Sequence, residues 1–234
     1  MIPISDNVIG RVKPIITSSL IVINIVWFLW ELQLEFSGQL KDFIHTWGTN
    51  PQQLTTAVSD LFNGNPAAGI IVLISLTSIV TGMFLHASFS QILGNLLFLW
   101  VFGKSVEKKL GHRKFLELYI ICGTLTGIVQ IISAPTSNIP FIGANGAIAS
   151  ILGAYIYKFP KAKVDSILPL VVIFLPIELP ATLYLLWWFI QQSFYGIGSL
   201  NIPGGVDLSS IGYWLHGAGI LIGAAWVQKR LKIT

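Results

Sequence analysis

The sequence predicts an all-α polytopic membrane protein, and three observations predict it: scarce charge, long apolar runs, and basic residues gathered into a few short segments. Of 234 residues, 14 are Lys or Arg, 10 are Asp or Glu, and 53% are hydrophobic. Soluble domains carry about 25% charged residues; this chain carries 10%, with mean hydropathy +0.74. So little charge cannot wet the surface of a soluble domain, and a core of this length cannot hide so much apolar area. The same excess excludes disorder, and the single cysteine, Cys122, excludes a disulfide scaffold. Helices of about 20 apolar residues are needed to span a bilayer, and the chain has room for six in one domain, residues 1–234.

The positions of the charges give the order of the elements. Basic residues fall at Arg11 and Lys13, at Lys104, Lys108, Lys109, Arg113 and Lys114, at Lys158, Lys161 and Lys163, and at Lys229, Arg230 and Lys232, with only Lys41 apart. Short basic loops stay on the cytoplasmic side, so an even number of crossings separates successive clusters. Two crossings per gap give six spans with both termini cytoplasmic, in a plasma or inner membrane. A nucleic-acid partner has no support, because no basic helix or aromatic-basic motif stands outside these loops.

The first span covers about 14–30, closed by Glu31 and Glu35; bulky Trp27 and Trp30 and the lack of a small-residue cleavage site argue against a signal peptide. Residues 31–85 form an outer segment whose apolar second half, Ala67–Leu85, would make the count odd if it crossed, and so reads as a membrane-dipping or laterally packed helix. The second span runs about 86–102 and the third about 115–132. The fourth, about 145–157, is too short to cross ~30 Å of hydrocarbon and belongs inside the bundle. The fifth, about 177–193, follows a stretch punctuated by Pro169, Pro176 and Pro180, and the sixth covers about 208–227.

Polar side chains within spans are costly and mark sites. Gln91 and Asn95 are four apart on one face of the second span, with His86 just before them. Asn145 starts the fourth span, and His216 lies about 12 Å into the sixth at 1.5 Å per residue. Small residues surround these positions: Gly143, Gly146, Ala147 and Gly153 near the fourth span, Gly212, Gly217, Gly219 and Gly223 in the sixth. Gly219 and Gly223 form a G-x-x-x-G, which lets backbones approach closely. The fourth and sixth spans are therefore expected to pack together and bring Asn145 near His216. Each feature also has a structural reading: His216, Gln91 and Asn95 as hydrogen-bonding glue between helices, Glu178 as an interfacial carboxylate, and Lys104–Lys109 as a solvated helix end. His86, His112 and His216 are too dispersed to hold a metal, His45 lies in the outer segment, and no metal or cofactor is implied.

Several strings resemble the rhomboid family of intramembrane serine proteases. They are Met83-Phe84-Leu85-His86-Ala87-Ser88 through Asn95, Phe102-Gly103 through Val106-Glu107 to Leu110-Gly111, Gly143-Ala144-Asn145-Gly146-Ala147, and Trp214-Leu215-His216-Gly217-Ala218-Gly219. The resemblance implies a six-helix bundle with a short buried fourth helix and a membrane-dipping loop after the first. It also implies a serine nucleophile opening the fourth helix and a histidine base on the sixth. His216 matches the base, whereas Asn145 stands at the serine of the family's Gly-x-Ser-Gly. A carboxamide nitrogen, delocalised into its carbonyl, is no useful nucleophile at neutral pH. Of the family's oxyanion-site pair on the second span, Asn95 matches the asparagine and Gln91 replaces the histidine, although an amide can still donate to an oxyanion. The Trp-Arg pair of the family's first outer loop has Thr77-Ser78 near its place.

The resulting expectation is a pseudoprotease that sits in the lipid bilayer and binds transmembrane helices of client proteins, with Asn145 hydrogen-bonded to His216 as a lock. The alternative is an active rhomboid intramembrane serine endopeptidase, either of unusual chemistry or with its native nucleophile serine replaced by Asn145. Ser150 points about 140° away from Asn145 around the helix, and Ser88 and Ser90 have no placed base. A solute transporter is disfavoured by the absence of inverted repeats and of intramembrane acidic residues.

Overall fold

A computed structural model of the chain describes residues 1–10, 12–170, 173–198, 200–201, 205–206 and 208–231. Arg11 and Lys232, members of the first and last basic clusters, lie outside them, as does the side chain of Trp214. The helices in chain order are α1 (Ile15–Phe36), α2 (Leu40–Trp47), α3 (Pro51–Phe62), α4 (Ala68–Thr81), α5 (Phe89–Phe98), α6 (Lys104–Leu110), α7 (His112–Glu117), α8 (Gly123–Ser133), α9 (Asn145–Lys158), α10 (Ala181–Gly198) and α11 (Leu208–Leu231). A π-helical turn, Leu99–Gly103, joins α5 to α6, and a second, Leu118–Cys122, joins α7 to α8. Among the described residues, three stretches are long and apolar enough to cross a membrane: Ile15–Phe36, Phe89–Leu110 and His112–Ser133.

The helical class predicted from composition holds, and the element boundaries shift for local reasons. The first span does not close at Trp30 but continues to Phe36, with Glu31 buried rather than interfacial. The second begins at Phe89 rather than His86, because extended Ser88 caps the helix and its Oγ accepts from the Gln91 N–H at 3.2 Å. It then runs without a breaker to Gly111, whose positive φ of 80° ends it, and His112 opens the next helix at once. Residues 177–180, expected to start the fifth span, are strand; proline disfavours helical backbone in the residue before it, which holds Leu179 extended ahead of Pro180. The apolar outer stretch forms α4, which packs on α3 and α8.

α9 is the centre of the bundle. Its 14 residues span about 21 Å, and Ala147 through Tyr155 are all buried. α11 lies along it in backbone contact. A Cβ at Gly153 would collide with the Ile220 carbonyl, one at Gly223 with the Ser150 carbonyl, and one at Gly219 would stand 2.6 Å from the Ala149 Cβ. Gly146 meets Thr126 of α8 in the same way, at 2.8 Å. Close approach is thus bought with glycine wherever the partner is backbone.

The sequence reading missed a small antiparallel sheet at one end of the bundle. Its order is β1 (Ile2–Asp6), β2 (Lys163–Leu170), β3 (Ile173–Pro180). A further short pair, β4 (Leu200–Asn201) and β5 (Gly205–Val206), precedes α11. At the sheet's end the basic clusters converge: Ser105 Oγ donates to Asp6 at 2.9 Å, the Lys163 N–H to Asn7 Oδ1 at 2.9 Å, and Arg230 pairs with Glu117 at 3.4 Å. Nor is Lys104–Lys109 a solvated helix end. Glu107 is fully buried and accepts from the Ile16 and Thr17 N–H groups at 2.9 and 2.7 Å, from Thr17 Oγ1 at 2.6 Å and from His112 Nδ1 at 2.5 Å. A carboxylate at the open N–H groups of α1 meets both their hydrogen-bonding need and the helix dipole.

Candidate functional site

The site is built at the start of α9. The preceding loop is stitched in place by backbone bonds: Thr49 and Phe141 exchange N–H···O bonds at 3.1 and 2.9 Å, and the Gly143 N–H donates to the Gly82 carbonyl at 2.8 Å. Gly143 turns with φ +112°, a conformation that favours glycine, and a Cβ there would strike the Gln91 carboxamide. Asn145 then opens the helix, half-buried.

Asn145, Gly143, Gly146 and Ala147 share the wall of one cavity of about 60 Å³ with Leu215 and His216 of α11; Met83, Thr126 and Phe141 also line it. Such a volume holds about two waters at ~30 Å³ each. Chain positions far apart in sequence, 145 and 216, therefore meet in one pocket. The lock expected between them is absent: among the described residues no hydrogen bond joins Asn145 to His216. Asn145 Nδ2 lies 3.7 Å from where a Gly143 Cβ would stand. His216 meets the ring of Trp188 edge-on at 5.1 Å.

Gln91 sits at the pocket's edge, tied at both ends. Its Oε1 accepts from the Ala87 N–H at 2.8 Å and its Nε2 donates to the Ile142 carbonyl at 3.1 Å, an assignment only one amide orientation satisfies. His86 and Asn95 lie outside the cavity lining and pair with each other, Asn95 Nδ2 to His86 Nε2 at 3.1 Å. The His86 Nδ1 faces the Phe84 carbonyl at 3.3 Å. A carbonyl can only accept, so the proton sits on Nδ1 and Nε2 accepts from Asn95. The His86 backbone N–H donates to both oxygens of the Glu31 carboxylate, at 3.0 and 3.2 Å. Glu31 was missed as a member of this network; the signal was an acidic residue inside an apolar run, read instead as the end of a span. Ser150 is fully buried and its Oγ donates to the Gly146 carbonyl at 2.9 Å, while Ser88 and Ser90 pair with each other at 3.0 Å. Among the described residues no cluster of metal-binding side chains occurs.

These features define a polytopic helical membrane protein with a small polar pocket between its central helix and the helix packed along it. The Rhomboid domain family matches residues 74–232, more than half of the chain. The chain belongs to the rhomboid family. It is similar to presenilin-associated rhomboid-like protein A, mitochondrial, of Danio rerio, 32% identical over 46% of this chain and 27% of the relative. Its human counterpart is 30% identical over 49% of this chain and 28% of the relative. Rhomboid protein 1, mitochondrial, of Saccharomyces cerevisiae is 36% identical over 38% of this chain and 27% of the relative. The matches thus cover less than a third of these relatives' own length.

Proposed function

We propose that this chain is a proteolytically inactive member of its family that binds transmembrane segments of client membrane proteins. The observation that carries the reading is Asn145, a carboxamide at the position of the family's attacking serine, in one pocket with His216. The base position has no hydroxyl to deprotonate at residue 145; Ser150 is spent on a backbone carbonyl, Ser88 caps a helix and Ser90 pairs with Ser88. Gln91, at the position of an oxyanion donor, bridges Ala87 and Ile142. By the positive-inside rule the basic end of the bundle faces the cytoplasm of a plasma or inner membrane.

Two measurements test this. The purified protein in vesicles is treated with a fluorophosphonate probe and with a single-span substrate; neither labelling nor cleavage is expected. Photo-crosslinking in native membranes is expected to capture single-span proteins. Labelling at any serine that vanishes on His216→Ala, or no captured span across many candidates, refutes the proposal.

A further inference from the structure

We propose that the β2–β3 hairpin is a membrane anchor: its described apolar end, Pro169 with Ile173, Phe174 and Leu175, lies in the acyl region of the lipid leaflet on the basic side, and its base lysines meet anionic headgroups. The direction of the sheet comes first. β1 packs along α5 and the π turn that follows it. Its Asp6 end is bonded to Ser105, whereas at its other end the Met1 carbonyl accepts from Tyr184 OH at 3.3 Å. Tyr184 itself packs against Phe102 and Phe98. Phe102 and Phe98 stand three and seven positions from Ser105, about 5 and 10 Å along this membrane-spanning helix, so β1 climbs from the basic end toward the level of the spans. β2 runs antiparallel beside it, with Val164 opposite Asp6 and Ile167 opposite Ile2, and continues to Leu170. Three more residues add about 10 Å, so the hairpin points along the helices and not out into the cytoplasm.

The chemistry follows the same axis. Lys158, Lys161, Lys163, Asp165 and Glu178 stand at the base, with Lys163 Nζ 2.5 Å from Glu178. Residues 166–177 carry no charge. Near the tip Ile173 and Phe174 are each 63% exposed and Leu175 45%. Neighbouring strand residues face opposite sides, so both faces of the hairpin there are bare and apolar. A protein groove covers one face of a hairpin; fluid hydrocarbon covers both. Backbone donors left open at sheet edges are costly in lipid, and Pro169 and Pro176 remove N–H groups from β2 beyond β1's reach and from the outer strand β3. The lysines at the base supply the charge complement for anionic headgroups. This anchor stands independently of whether the pocket cleaves.

The test places a nitroxide on Phe174→Cys in the full chain, reconstituted in vesicles of phosphatidylcholine and phosphatidylglycerol. Cys122 is buried, and labelled wild type serves as its control. The label at 174 is expected to be several-fold more accessible to oxygen than to a nickel chelate, and a label on Asp165→Cys the reverse. Leu175→Cys repeats the measurement should the first variant fold poorly. Equal nickel accessibility at 174 and 165 overturns the proposal, and so does dipolar broadening between labels at 174, which would mean that a second copy covers the tip.

Discussion

Gly223→Ala tests whether α9 and α11 are in backbone contact. The added Cβ would overlap the carbonyl of Ser150, and neither partner is a side chain that can rotate away. Residues 147–155 of α9 are buried on all sides, so α11 must move outward. A displacement of about 1 Å forfeits a quarter to a half of the dispersion attraction of each contact it opens, including Gly219 on Ala149 and Gly153 on Ile220. Overpacking of this kind costs about 1–3 kcal/mol, and a backbone obstacle puts this site at the upper end. At about 2–4 °C per kcal/mol, the melting temperature in detergent should fall by roughly 6–12 °C. Gly94→Ala is the matched control: it also lies within a helix, but a Cβ there meets nothing within 4 Å. Alanine in place of a mid-helix glycine gains roughly 0.5–1 kcal/mol, so this variant should melt no lower than wild type. Two chemically identical changes thus have opposite signs. A Gly223→Ala protein that melts with wild type would refute the contact.

Three further outcomes are expected. Glu107→Gln keeps the shape but turns an NH₂ group toward the N–H donors of Ile16 and Thr17; it should destabilise by about 3 kcal/mol, read as a lower melting temperature. Gln91→Ala releases the exposed Ala87 N–H to water and leaves the part-buried Ile142 carbonyl without its donor, with a loss of about 1 kcal/mol and faster amide hydrogen exchange at Ala87 and Gly143. Asn145→Ser puts a hydroxyl into the pocket shared with His216; labelling by a fluorophosphonate should then appear and be abolished by His216→Ala. Adding Gln91→His should raise the labelling rate by about 10²-fold, the scale of one oxyanion donor.

The sequence made the bundle legible because lipid leaves few options. Apolar runs of span length and basic loops are written in composition, and the glycines at 153, 219 and 223 mark close helix contact in the sequence itself. The sheet was invisible for a related reason. Ile173–Pro180 is apolar enough to read as the start of a span, and hydropathy alone cannot separate a strand from a helix in a short apolar run; the prolines at 176 and 180 were the deciding residues. Charges inside the fold were misread most consistently. Glu31 and Glu107 sit beside spans in sequence, and a carboxylate there is usually solvated. Both are buried because each finds backbone N–H donors from a distant segment, His86 for one and the start of α1 for the other. Such pairings over 55 and 91 positions leave no local signal.

Polar groups that the sequence collected as a site divide, in three dimensions, into two sets. His86, Gln91 and Asn95 are spent on structure: one network ties α5 to α1 through Glu31, and the other ties it to the loop before α9. Asn145 and His216 alone of the five face the cavity. A carboxylate, an imidazole and two carboxamides already bonded to backbone groups or, for His86 and Asn95, to each other gain little by reaching for a substrate carbonyl. Of these five, only a carboxamide and an imidazole line the pocket, a pair that offers hydrogen bonds but no nucleophile. That supports binding over cleavage, and it concentrates the question on position 145, where one substitution supplies the missing hydroxyl.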